Sequence, residues 1–400
     1  MQTIHRSTIR NFLAVAGVLI ANLGFAAPET NAPNFAWTFD NLGILNADGK
    51  LTYIDTLGGS YLRASAHIND AGQVAGTSQT AAGADHAFIT GPNGAGITDL
   101  GTLGGNYSEA YGINAAGQVI ATSYGADGRQ SFITGPNGVG RTVLDVGGNY
   151  NYGYGINDAA QVAGYVAKYD GPHAFITGPN GVGMTDLGTL GWLGSSASGI
   201  NNAGQVVGYS STVDLKEHAF MTGLNGEGMT DLGTLGGFYS YALGINATGQ
   251  VVGYSATADS KEHAFMTGPN GVGMIDLGTL GGSSSVAYGL NDAGQVFGAF
   301  ITAAGDQHAF ITGSNGVGMI DLNSLAVSLP DGIYIAAADG INSHGQILVG
   351  IVGVNVVPEP ETYAMLLAGL ALLGVMTRRR KAAWSASSSP LKYVPPRISP

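Results

Sequence analysis

The sequence predicts an all-β fold, a seven-bladed β-propeller built from four-stranded repeats of about 45 residues. Three observations predict it. A His-Ala-Phe triplet returns at fixed spacing, an asparagine turn closed by glycine-glutamine or its variant occurs seven times, and glycine supplies 66 of 400 residues while 44% of the chain is hydrophobic. That balance suits many short strands joined by tight turns, and it excludes a polar low-complexity chain unable to bury a core.

The triplet starts at His86, His173, His218, His263 and His308, and the last four lie 45 apart. Gln130-Ser131-Phe132 is a degenerate copy, and Phe35-Ala36-Trp37 opens the array. An aspartate keeps step at Asp99, Asp145, Asp186, Asp231, Asp276 and Asp321, with a looser copy at Asp55. An Ile-Asn or Leu-Asn pair supplies Asn69, Asn114, Asn157, Asn201, Asn246, Asn291 and Asn342. Gln73, Gln118, Gln161, Gln205, Gln250, Gln295 and Gln346 follow them. The repeats fill residues 35–356.

The unit from His263 shows the strand pattern. His263 to Thr267 reads as a strand, and Gly268-Pro269-Asn270-Gly271 as a turn where glycine tolerates positive φ. Met274 to Leu277 returns, Gly281 and Gly282 break the chain, and Val286 to Leu290 and Gln295 to Phe300 complete four strands. No segment of the body has the period and length of a helix. A β-solenoid needs a shorter repeat. The array begins and ends inside a unit, so residues 35–55 are expected to complete the blade begun by 340–354, removing both exposed sheet edges.

Composition narrows the function classes. Between Ala27 and Val357 there are 25 acidic and 7 basic residues, a net charge of −18. Such a surface repels phosphate backbones and anionic lipid, so no nucleic-acid partner is expected. With no cysteine, thiol chemistry and disulfide staples are excluded, and closure of the ring is the expected staple.

Both ends read as addresses. Residues 1–26 have a basic start (His5, Arg6, Arg10), an apolar run from Phe12 to Leu23, and small residues Gly24 and Ala26 that predict signal cleavage after Ala26. Near the other end, Val357-Pro358-Glu359-Pro360 precedes an uncharged stretch from Thr362 to Thr377, then Arg378, Arg379, Arg380 and Lys381. As a helix that stretch would span roughly 24 Å, a short transmembrane helix with its basic cluster on the cytoplasmic side. Residues 357–381 resemble the PEP-CTERM sorting signal of Gram-negative bacteria. The resemblance implies export, transient anchoring in the inner membrane through the C-terminal helix, and processing by an exosortase-like enzyme that releases the body to the cell surface or medium. Residues 382–400 form a tail not usual in that signal, expected to be flexible. A permanent tail anchor is the rival topology.

The His-Ala-Phe, Asp-Leu-Gly-Thr-Leu-Gly-Gly and Gly-Ile-Asn-x-x-Gly-Gln-Val patterns also resemble the HAF family of extracellular repeats, which carries no general activity. The histidines are expected to fasten each blade by bonding an aspartate, as His263 with Asp276, and not to bind metal, since equivalent positions lie on separate blades. The Asn-x-x-Gly turns lack the spaced carboxylates of calcium loops. No catalytic residues, metal or cofactor are expected, and Glu109 and Arg141 read as solvated loop charges. The candidate ligand-binding residues are aromatics that follow the paired glycines: Tyr61, Tyr107, Tyr150, Trp192, Phe238 and Tyr239. If the next strand is innermost, they ring one face near the axis, beside Asn106 and Asn149, where rings can stack on sugar. The expected function is a non-enzymatic surface or matrix protein, of the kind found in biofilm, binding exopolysaccharide or another surface partner through one propeller face. A secreted propeller hydrolase or lyase acting on a polysaccharide is the alternative.

Overall fold

A computed structural model describes residues 38–39 and 41–353, apart from 126–127, 148–149, 327–328 and 330–331. The described residues belong to one compact unit within Met1–Gly353, and Val354–Pro400 forms a second. The expected signal peptide, the sorting signal with its expected transmembrane helix, and the tail lie outside the described residues. Among the described residues no helix is long and apolar enough to cross a membrane.

The body is an all-β propeller. Its innermost strands are Gly58–Ile68, Ser108–Ile113, Asn151–Ile156, Ser195–Ile200, Gly236–Ile245, Ser284–Leu290 and Tyr334–Ile341. Each contacts the next, and the last contacts the first. The expected joining of the chain ends is present: Asn41–Leu45 pairs antiparallel with Ile347–Val352, and Leu51–Tyr53 adds outside it.

The expectation of seven separate blades is corrected by the hydrogen bonding. The strands form five separate blade-sized sheets, four of four strands and one of five, plus one eight-stranded sheet that runs from Ser195 to Gly278. The merger has a local cause. Gly236–Ile245 is ten residues long where Ser195–Ile200 is six, and its early start lets Tyr239 pair in parallel with Glu217 of the preceding repeat. Elsewhere the same approach leaves only isolated bridges, Asp85 with Tyr107 and Arg129 with Tyr150. The five-stranded sheet gains Thr38–Phe39 beside Gly58–Ile68.

The core sits between neighbouring repeats. Phe88, Phe132, Phe175, Phe220, Phe265 and Phe310 are fully buried. Phe265 packs with Val207, Ala219 and Met221 of the repeat before it. Alanine and phenylalanine of the triplet point to opposite faces of the sheet and both are buried, while histidine, on the phenylalanine's face but nearer the strand's start, is only partly covered. There His86, His173, His218, His263 and His308 meet Asp99, Asp186, Asp231, Asp276 and Asp321 through Nδ1, at 2.7 to 2.9 Å. Each aspartate also accepts a backbone N–H two residues on, as from Gly233 to Asp231.

A bulge between Ala197 and Gly199 kinks the inner strand, and its equivalents recur. It draws the inner strand against Gly208, where a Cβ would lie 2.0 Å from the Ser196 carbonyl oxygen. The repeated glycine before the tyrosine of the second strand is therefore a packing requirement.

At the C-terminal ends of the inner strands the asparagines form a circumferential clasp. The side-chain amide of Asn69 donates to the carbonyl of Asn114 at 3.1 Å, Asn114 to Asn157 at 3.1 Å, Asn157 to Asn201 at 3.1 Å, and Asn201 to Asn246 at 3.0 Å. Asn246 donates to Asn291 at 3.2 Å, and Asn342 to Asn69 at 3.2 Å across the seam. Asn201 uses all its remaining capacity within its own turn: Oδ1 accepts from Ala203 and Gln205 N–H, and Nδ2 also donates to Gln205 Oε1. Outside this clasp sit Pro-Asn-Gly 3-10 turns whose asparagines, such as Asn93 and Asn270, have φ near +55°.

Candidate functional site

The six candidate aromatics precede or open the inner strands, at the end opposite the asparagine clasp. The strand that follows them is innermost, as expected. They do not form one uniform ring. Three are anchored by carboxylates: the Tyr61 hydroxyl donates to Asp85 at 2.7 Å, Tyr107 to Glu109 at 2.6 Å, and Tyr239 to Glu262 at 2.6 Å. Burial, then the carboxylate, raises the pKa of each of these phenols. The other three are free at the surface: Tyr150 is 57% exposed, Trp192 75% and Phe238 71%. Asn106 is exposed beside them, and Asn149 lies outside the described residues.

Behind the anchored rings lies a belt of tyrosines and acids. Tyr111 donates to Glu109 at 2.9 Å and meets Tyr154 edge-on at 5.0 Å. Tyr152 stacks on Tyr165, Tyr241 stacks on Tyr254, and Tyr241 also hydrogen-bonds Glu217. Arg129 lies over the rings of Tyr124 and Tyr152, and Arg63 pairs with Asp85 at 2.6 Å. Glu109 is thus a buried inner-strand residue, not the solvated loop charge expected: adjacent tyrosine hydroxyls supply the donors that a carboxylate needs away from water. Arg141 is exposed, and its guanidinium donates to the Thr102 carbonyl at 2.6 Å. Burial pushes the Glu262 carboxyl up to about 7, opposed by the Tyr239 hydrogen bond, and Oε2 is buried without a partner. Burial also brings Asp339 up to about 7.

Sequence reasoning missed these tyrosine–acid pairs: Asp85, Glu217 and Glu262 each stand just before a triplet histidine but meet tyrosines of inner strands, while Glu109 is bonded by Tyr107 and Tyr111, two residues to either side. It also missed the turns between the second and third strands, where Tyr169, Val213 and Leu215 are exposed. The signal was available: other repeats place Ala81, Ala258 and Ala303 there. At the opposite end, Asn46, Ala47, Asp70, Ala71, Asn93, His344 and Gln346 line a shallow pocket at the seam.

Comparison with known proteins now adds the address. Residues 356–381 match the PEP-CTERM protein-sorting motif. The chain is therefore a propeller-fold protein bearing the signal for export and membrane-anchored sorting by an exosortase-like enzyme. The likeness of the repeats to the HAF family rests on their sequence pattern. No curated protein matches the chain in sequence. Among solved structures, TolB from Acinetobacter baumannii is similar at 11% identity and a TM-score of 0.45, covering 70% of this chain. The match spans 64% of the TolB chain. The β-propeller domain of the Trilobed protease from Pyrococcus furiosus, described as having an open velcro topology, is similar at 9% identity. Its TM-score is 0.47, with 72% of this chain and 98% of that one covered.

Proposed function

We propose that the released body is a non-enzymatic surface or matrix protein that binds extracellular polysaccharide through the aromatic end of the propeller. The observation that carries this reading is the exposure of Tyr150, Trp192 and Phe238 at one end of three consecutive repeats. Nothing in the packing of the fold needs these rings, since Ser283 and Ser284 stand at the corresponding place in a later repeat. An exposed ring costs solubility and offers the apolar face of a sugar a stacking surface. The sorting motif implies export, which supports an extracellular partner for that surface. A hydrolase or lyase needs carboxyls free to exchange protons with substrate. Asp85, Glu109, Glu217 and Glu262 each accept a tyrosine hydroxyl instead, which supports a structural role for them.

The test is retention of the full chain on immobilised neutral and uronate polysaccharides, with reducing ends and unsaturated products assayed in parallel. Retention without product is expected. Catalytic release of either product would replace this reading by the enzymatic one, and no retention on any polymer would remove it.

A further inference from the structure

Among the described residues, most of the exposed apolar side chains at the aromatic end are gathered in one sector, with Leu280 exposed outside it. The sector runs from Tyr150 through the turn bearing Tyr169, the loop bearing Trp192 and Leu193, and the turn bearing Val213 and Leu215, to Phe238. Backbone contacts join these pieces without a gap. Ala167 N–H donates to the Tyr150 carbonyl. A Cβ on Gly171 would lie 2.7 Å from the Leu193 carbonyl oxygen, and one on Gly191 2.7 Å from the Val213 nitrogen. Glu217, at the end of that turn, pairs with Tyr239, the neighbour of Phe238. Tyr169 is completely exposed, Leu193 60%, Val213 69% and Leu215 65%.

Leu215 is the sharpest of these. Its φ is +62°, a left-handed conformation that the same turn elsewhere gives to Ser260, Gly83 or Gly305. A leucine there accepts backbone strain and gains no burial, so it opposes both stability and solubility. Such a choice points to a partner that covers it.

Charge and shape select the partner. The lysines of this sector are each neutralised locally, Lys168 by Asp186, Lys216 by Asp214 and Lys261 by Asp259. Arg129, whose backbone bridges Tyr150, has its guanidinium over the Tyr124 and Tyr152 rings, and the body's surplus of acid repels a polyanion. The rings and aliphatic tips stand on loops and turns, while the seam pocket lies at the other end of the strands. A ridge of this kind suits a chain laid across it and not a small molecule enclosed in it.

We infer that this sector is a single linear docking ridge for a neutral, extended polysaccharide. Its rings stack on the apolar faces of successive sugars, and Val213 and Leu215 cover the chain's edge. The inference rests on the polysaccharide-binding reading above and localises it.

The test measures retention of the full chain in affinity gels containing either hydroxyethylcellulose, a neutral β-glucan derivative, or alginate, a polyuronate. Wild type is expected to be retarded by the neutral polymer at least tenfold more strongly than by alginate. Trp192→Ala and Leu215→Ser should each weaken that retention about tenfold, and Val317→Ala, exposed after the Ser314–Gly316 turn and outside the ridge, should leave it within twofold. Loss with Trp192→Ala but none with Leu215→Ser or Tyr169→Ala overturns the ridge and leaves the aromatic-face reading standing. Stronger retention by alginate overturns the neutral-polymer assignment. Indifference of both gels to every variant removes both proposals. Concentration-dependent dimerisation in sedimentation velocity, abolished by Leu215→Ser, assigns the ridge to a second copy and overturns it as a polysaccharide site. Because Leu215 is exposed and strained, its serine variant should fold at least as well as wild type, so lost retention cannot be laid to unfolding.

Discussion

At one end of the inner strands, asparagine stands in every repeat, from Asn69 to Asn342. At the other, the residue seven places earlier is Leu62, Tyr107, Tyr150, Gly194, Tyr239, Ser284 or Ile335. The asparagine end spends its polar groups inward and across repeats, each side chain bonding the backbone of the next turn, so each copy depends on its neighbour's conformation. The aromatic end has no such coupling: some rings are tied to a carboxylate of their own, others to nothing. Uniformity therefore marks the end that holds the ring together, and variation marks the end free to specialise.

The largest effect expected from this contrast is at the clasp. Asn201→Ala removes the donor to Asn246 and leaves Gln205 Oε1 and two backbone N–H groups without partners. Each buried orphan costs about 1–3 kcal/mol, so a loss of about 3–5 kcal/mol is expected, read as a lower urea midpoint. A loss below about 1 kcal/mol would break the comparison, since the two ends would then be equally tolerant.

Next is a pH effect at the varied end. The folded Glu262 carboxyl titrates near 7, above its ordinary 4.5, so the folded state holds the proton more tightly than the unfolded one. Stability from this group is complete below pH 4.5, falls as pH rises toward 7, and stays lower above it. The full difference is up to about 3 kcal/mol. Glu262→Gln should remove the decline and be the more stable protein at pH 8. Parallel stability curves for the two proteins between pH 5 and 8 would count against it. Asp339→Asn should act in the same direction, its carboxyl being raised by burial alone.

How much of this was legible in the sequence follows from the same contrast. The repeat length, the strand order, the histidine–aspartate fastening and the joining of Asn41–Leu45 to Ile347–Val352 follow from periodic landmarks, because every copy reports the same local physics. Merger of two repeats into one eight-stranded sheet was not legible. It depends on where one strand, Gly236–Ile245, starts, and strand boundaries are set by neighbours as much as by sequence. The asparagines read as turn formers, which they are; their bond to the next repeat is invisible until the ring closes. At the aromatic end the loop positions were right, but burial was not: Tyr107 and Tyr150 look alike in sequence and differ because Glu109 stands two residues after the first to accept its hydroxyl, whereas Tyr152 stands there after the second.

A smaller effect is expected at the outer part of the sheets. His218→Ala removes one bond to an aspartate that is 42% exposed and keeps its backbone donor from Gly233. Solvent takes over much of that interaction, so about 1 kcal/mol or less is expected in a thermal or urea melt. A loss as large as that of Asn201→Ala would move the staple of the fold from the clasp to the histidines.

The smallest effect on stability should come from Trp192→Ala, and this is the sharpest form of the comparison. The ring is 75% exposed, and the backbone beneath it is fixed by contacts of Gly191 and Gly194 that the side chain does not make. Truncation removes little buried surface, so the urea midpoint should move by no more than about 0.5 kcal/mol. The same change is expected to weaken polysaccharide retention strongly. A residue whose loss is silent in the melt and large in the binding assay belongs to function alone, the reverse of Asn201. If instead Trp192→Ala destabilised the protein by 2 kcal/mol or more, the ring would be a wedge between repeats, and the aromatic end would be a second part of the scaffold.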